Sequence, residues 1–247
     1  MPFALEVPTL ALLACALLGA AYVRGYSGFG FSAIFIAIAA LVTNPLPLIP
    51  VVFGCELLMT LVQGPGVIAH VDWRRVGALL AGAALVLPVS VGLILSLGEA
   101  EVRLAVSLVI FVLAGVLATG WVLERRIGAA GHLGVGALAG AANAAGVGGL
   151  PVATFLTAQP IPAPVFRASM VAFLTGIDLI TLPLMWAGGL VTGDTLTALA
   201  AAFPIAALGV WLGGRRFGAA SPTSFRRMAI ALLLTLSGIG LVRGALA

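Results

Sequence analysis

Apolar residues run along this chain in long blocks broken by glycine, proline or charge, at residues 5–23, 29–43, 46–68, 76–97 and 103–122. After a charged link, LERRIGAAGH, a second series follows at 132–145, 149–158, 163–187, 195–213 and 225–245. A helix needs roughly 20 apolar residues to cross hydrocarbon, so the pattern predicts an all-α polytopic membrane protein with roughly eight to ten membrane segments. The pieces 132–145 and 149–158 are short for full spans. Proline sets the breaks: NPLPLIP at 44–50 and QPIPAP at 159–164 each end one segment and start the next. Proline lacks an N–H and disfavours helix in the residue before it.

The two series share a rhythm, and residues match between them. GCELL at 54–58 stands against GIDLI at 176–180, so Glu56 and Asp178 correspond. Arg103 and Gly115 match Arg226 and Gly238, and GFGFS at 28–32 stands against GVGGL at 146–150. These matches predict two repeats, residues 1–123 and 124–247, each a glycine-tipped broken or re-entrant helical hairpin followed by three transmembrane helices. Cytoplasmic loops collect arginine. Arg74 with Arg75, Arg125 with Arg126, and Arg215 and Arg216 with Arg226 and Arg227 therefore mark inside loops, whereas Glu99, Glu101 and Asp194 mark outside ones. Corresponding loops then face opposite sides, which is what an inverted repeat requires. The first two segments of each half must cross as a pair, as a re-entrant hairpin or as two full spans, and both termini are expected outside. The N-terminal stretch carries Glu6 and no positive region ahead of its apolar block, so it is expected to stay as the first membrane segment and not to be cleaved as a signal peptide.

Composition agrees with the pattern and narrows the chemistry. Of 247 residues, 62% are hydrophobic and only 8% charged, against roughly half and a quarter in a soluble domain. All the basic residues are arginine and most lie at segment ends, so the net charge of +4 reads as topology and not as a nucleic-acid surface. Cys15 and Cys55 fall in apolar blocks without metal-ligand spacing and are expected to be buried as small hydrophobes. His70 and His132 are expected in loops at the surface, and Trp73, Trp121 and Trp186 at segment ends as interfacial anchors. No nucleophile–base pair or HExxH motif argues for an enzyme, no metal set is present, and without any lysine there is no phosphate-binding P-loop.

The candidate chemistry lies in the two glycine clusters and the intramembrane charges. RGYSGFGFS at 24–32 places Arg24, Ser27, Gly28 and Gly30 together, and ANAAGVGGLP at 142–151 places Asn143, Gly146, Gly148 and Gly149 together. Glycines in membrane helices either permit close packing or break a helix so that free backbone N–H groups point at an anion. Two clusters at matching places, each with polar neighbours, favour a substrate site. Arg24 and Arg167 can bond an oxyanion bidentately and keep their charge. Glu56 and Asp178 lie within apolar segments, where an unpaired charge costs at least about 2.5 kcal/mol and usually marks function. Coupling to protons, gating, or a fixed ion pair with Arg24 or Arg167 are all open to them. A cation-coupled carrier of a cationic or neutral solute, using Glu56 and Asp178, is the rival reading.

GYSGFGFS, GVGGLP, VDWRRVGALLAGAALVLPVSVG, RASMVAFLTGIDLITL and the closing GLVTGDTL, FPIAALGVWLGGRRF and FRRMAIALLLTLSGIGLV stretches resemble the TauE/SafE sulfite exporter family, also called the four-toluene sulfonate uptake permease family, over nearly the whole chain. The resemblance implies a secondary carrier, a permease or exporter, for sulfite, sulfonates or related small organic acids in the bacterial cytoplasmic membrane. It implies a small anion as substrate; no cofactor is expected, proton coupling stays one of the roles open to Glu56 and Asp178, and a monomer or a homodimer in the bilayer is expected. Phe29 and Phe31 flank Gly30 where the family is richer in glycine, which implies an apolar wall beside the substrate.

Overall fold

The computed structural model describes residues 3, 5–63, 65–120, 127–215, 230–231, 234–235 and 237–242. Trp121, Arg125, Arg126, Arg216, Arg226 and Arg227, with the start of segment 225–245, lie outside the described residues. Every element among the described residues is helical: α1 Val7–Ser27, α2 Phe31–Val42, α3 Ile49–Gln63, α4 Trp73–Leu95, α5 Glu99–Ala118, α6 Ala129–Asn143, α7 Gly149–Thr157, α8 Ala163–Ala187 and α9 Gly193–Arg215. Short 3-10 turns at Leu46–Leu48 and Pro65–His70 flank α3. Further helical residues lie at 237–242.

Six of these stretches are long and apolar enough to cross a membrane: α1, Leu46–Gln63, α4, α5, α8 and α9. Large apolar side chains such as Leu61, Leu85 and Val89 are more than two-thirds exposed. Water would not tolerate so much outward apolar surface, but lipid does, and the chain is a multi-pass membrane protein. The remaining helices are shorter: α2 has 12 residues, α6 has 15 and α7 has 9. At 1.5 Å per residue α2 and α7 reach roughly 18 and 14 Å, well short of hydrocarbon about 30 Å thick.

Proline acts where expected. Pro45 and Pro47 shape the turn into α3, and Pro162 caps α8, whose first turn holds Pro164. Three expectations are corrected. The first segment does not stop at residue 23 but runs as helix to Ser27, with Gly25 inside α1 where a β-carbon would strike the backbone of Val210. Cys55 is buried, but Cys15 is exposed on the outer face of α1, since a lipid-facing surface accepts small hydrophobes as readily as a core does. His132 lies not in a surface loop but buried in α6, with Nδ1 2.9 Å from the Gly128 carbonyl oxygen and its ring edge-on to Phe155. His70 closes an exposed 3-10 turn.

Two helix pairs pack backbone to backbone. On α6, Gly136 and Gly140 lie against the carbonyls of Leu79 and Ala83 on α4, and Gly82 of α4 lies against Leu133. On α9, Gly209 and Gly213 lie against the carbonyls of Leu18 and Tyr22 on α1. Both are small-xxx-small spacings, which let dispersion act over the closest helix approach. The central helices join these pairs differently: Leu199 of α9 fills the notch at Gly54 on α3, and Leu80 of α4 fills the notch at Gly176 on α8. α3 and α8 also pack on each other.

The glycine contacts give a direct test. In Gly136→Val the branched side chain has only the α4 backbone to displace, so a loss of more than the 1–3 kcal/mol typical of overpacking is expected. Gly134, on the same helix, has open space where its side chain would stand, and Gly134→Val is expected to leave stability nearly unchanged. Thermal unfolding of both variants in detergent checks this; equal midpoints would contradict the packing.

Candidate functional site

The site grows from the end of α1. Arg24 stands in the last turn of that helix, where a cation is favoured by the free carbonyls, and its side chain is fully buried. Nη1 donates to Glu56 Oε1 at 2.9 Å and Nη2 donates to Thr60 Oγ1 at 3.3 Å. Glu56 lies at the middle of α3, and Thr60 follows one turn later on the same face. The hydroxyls of Thr60 and Thr175 stand 2.9 Å apart and tie α3 to α8.

Asp178, fully buried on α8, faces Glu56, Arg24 and Asn143. Asn143 ends α6 and donates through Nδ2 to Thr181 Oγ1 at 2.9 Å, and Thr181 in turn donates to the Ile177 carbonyl at 2.7 Å. The four helices α1, α3, α6 and α8 thus converge on one polar cluster. Its hydrogen bonding is incomplete: Arg24 Nε, Glu56 Oε2 and both carboxyl oxygens of Asp178 are buried without a partner. Unpartnered polar atoms in a low-dielectric interior are costly, so such groups mark a place that a proton or ligand completes.

The glycine tips border this cluster. Gly28 caps α1 in the left-handed region, at φ 86°, with its N–H on the Arg24 carbonyl at 2.7 Å. A side chain there would be strained and would also press on Arg167. Ser27 Oγ lies 2.8 Å from the Val23 carbonyl oxygen and 2.9 Å from that of Phe29, and it accepts from the Phe29 N–H at 3.3 Å. Gly30, at φ 91°, opens α2. In the second tip Gly146 turns the chain at φ 77°, and Gly148 and Gly149 open α7, with Asn143 against Gly148. Neither α2 nor α7 has a side-chain cap; at α7 the Leu150 N–H is bonded to the Val147 carbonyl at 3.1 Å and Pro151 has no N–H, so the first turn of α2 is the better supplied with donors.

Arg24, Glu56, Asp178 and Asn143 therefore come together. Arg167 does not join them: its Nη2 donates to the Gly25 carbonyl at 2.7 Å, and its stem covers Gly28, so it clasps the first tip from outside. Phe166 supports the same contact, its ring edge-on to Phe29 at 5.9 Å. Thr60, Thr175 and Thr181 escaped the reading of the sequence. Their signal was helical spacing: Thr60 is four residues from Glu56, and Thr175 and Thr181 are each three from Asp178, which puts each beside its acid on one helix face.

A separate cavity of about 300 Å³ opens between α1, α3 and α9, but Leu13, Leu17, Val52, Ala202 and Ile205 give it apolar walls that offer an anion nothing. No curated protein and no solved structure matches the chain. The family described as sulfite exporter TauE/SafE matches over residues 12–241. With its spanning helices, its two glycine tips and a match over nearly its whole length, the chain belongs to the TauE/SafE sulfite exporter family of membrane transporters.

Proposed function

We propose that this chain is a secondary carrier of a small sulfur oxyanion, sulfite or a sulfonate, across the bacterial cytoplasmic membrane, with Arg24 as its principal anion contact. The observation that carries the reading is the fully buried Arg24 guanidinium at the foot of the first glycine tip, with its Nε–H unpartnered. The N-termini of α2 and α7 add fixed positive ends, with Ser27, Gly28, Gly30, Asn143, Gly146, Gly148 and Gly149 forming the tips. Arg167 holds the first tip in place. Glu56 and Asp178 couple transport to protons.

The same reading takes residues 1–123 and 124–247 as inverted repeats with both termini outside. It draws support from pairing: α1 packs on α9 as α6 packs on α4, and the Gly54–Leu199 notch on α3 has its counterpart in Gly176–Leu80 on α8. The short arms α2 and α7 are consistent with hairpins whose tips lie at membrane depth.

Purified protein in proteoliposomes tests the function. Sulfite, sulfate, sulfoacetate and taurine are supplied in turn under a pH gradient while internal anion and pH are followed. Flux of sulfite or a sulfonate with proton movement is the expected result. Absence of flux for every anion, in folded and inserted protein, would overturn it. Two carboxyl groups against one guanidinium would then favour a cationic or neutral solute handled by Glu56 and Asp178.

A further inference from the structure

Building on the anion-carrier reading, we propose that the cluster admits only singly charged oxyanions, each together with one proton, and that Glu56 is the carboxylate the anion displaces from Arg24. The argument is one of charge. A guanidinium is the cation of choice in a buried ion pair, and that of Arg24 faces two carboxyl groups, Glu56 at 2.9 Å and Asp178 near it. Net charge in a site sealed from water is expensive, so the resting cluster is neutral, with guanidinium, one carboxylate and one carboxylic acid. Glu56 is the carboxylate because it holds the Arg24 N–H. Asp178 is the acid because it holds no bond from the guanidinium and faces Glu56, whose unpartnered Oε2 can accept its O–H.

Few other ionisable groups can alter this balance. Cys55 adjoins Glu56 on α3, Arg167 lies near the start of α8, and Tyr22 and Tyr26 lie on α1. Arg74 and Arg75 on α4, His132 on α6, and Asp194 and Arg215 on α9 stand in the first or last turns of their helices, and α2 and α7 carry none.

An incoming monoanion needs the donors that Glu56 occupies. When one proton from solution bonds to Glu56, its hold on Arg24 weakens and the anion takes Nη1. The cluster then contains guanidinium, two carboxylic acids and one anion, again neutral. No covalent bond changes apart from that proton transfer. A dianion such as sulfate would leave one negative charge uncompensated and is rejected. Hydrogensulfite and sulfonates meet the requirement.

Methanesulfonate is the probe, because it stays ionised across the working range and any proton taken up belongs to the protein. Binding to the purified chain in weakly buffered detergent solution, read with a pH indicator, is expected to take up about one proton per anion and to weaken about tenfold for each unit rise in pH. Flux in proteoliposomes is expected to ignore an imposed potassium diffusion potential, and sulfate is expected not to compete. Binding without proton uptake, flux that follows the potential, or sulfate competing equally would each overturn the proposal and leave the anion carrier standing. Failure to bind any anion would remove both. Glu56→Gln combined with Asp178→Asn is expected to bind methanesulfonate with no proton uptake, and uptake persisting there would also overturn the proposal. If that variant does not fold, the stoichiometry of the unaltered chain decides alone.

Discussion

Neutralising both acids together, as Glu56→Gln with Asp178→Asn, is expected to destabilise the protein by about 3–5 kcal/mol, the range measured when a buried ion pair loses one partner. Either substitution alone is expected to cost much less. The asymmetry follows from what each group can do about its charge. A buried carboxyl can take a proton and become neutral, but a guanidinium cannot give one up. With Glu56 replaced, Asp178 remains to balance Arg24, and with Asp178 replaced the 2.9 Å pair to Glu56 survives. With both gone, a cation without a countercharge is left buried away from the surface. Adding Arg24→Met to the double variant is expected to recover most of the loss. Thermal unfolding in detergent, with the monodisperse fraction on size exclusion, reads the series. A double variant as stable as the parent would mean that Arg24 has a countercharge elsewhere.

Replacing Arg24 with Gln is expected to lower anion affinity by about 100-fold or more, since each lost charge-assisted hydrogen bond is worth about 1.5–3 kcal/mol. Arg24→Lys keeps the charge but loses the planar fork, and an intermediate loss is expected. Neither change leaves an obligatory charge unmatched, so both variants should insert and fold. That separates lost binding from lost structure, which equilibrium binding of a sulfonate to purified protein then measures. Affinity unchanged in Arg24→Gln would remove Arg24 from the site.

The sequence displayed the helical plan because lipid forces it: backbone groups in hydrocarbon must bond within their own segment, and apolar blocks of spanning length follow. Proline breaks at Pro45, Pro47 and Pro162 were equally plain, since proline's constraint is local. Glycine was harder to read. Gly28, Gly30 and Gly146 do adopt left-handed turns, but Gly25 stays helical and serves contact with α9, and nothing local to the chain separates the two uses. For the same reason the first apolar block reads as ending at residue 23, whereas Arg24 lies within the helix. The acids stood out against their apolar surroundings. Thr60, Thr175 and Thr181 did not, because a threonine in a membrane helix can satisfy its hydroxyl on its own backbone, and all three have such a carbonyl within reach here. Only the packing of α3 on α8, for Thr60 and Thr175, and of α6 on α8, for Thr181, makes them part of the cluster.

The contacts of α1 with α9 and of α4 with α6 carry a mechanical consequence. Where glycine lets one backbone rest on another, no side chains lie between that could change rotamer, so each pair resists internal slip and behaves as a single thick rod. The notches at Gly54 and Gly176 are of another kind, since each holds one leucine tip that can swing aside. Compliance in this molecule is therefore concentrated where each rod meets a central helix, α9 on α3 and α4 on α8. Those two central helices also carry Glu56 and Asp178, two residues from each notch, so rocking of the rods acts on the charged cluster.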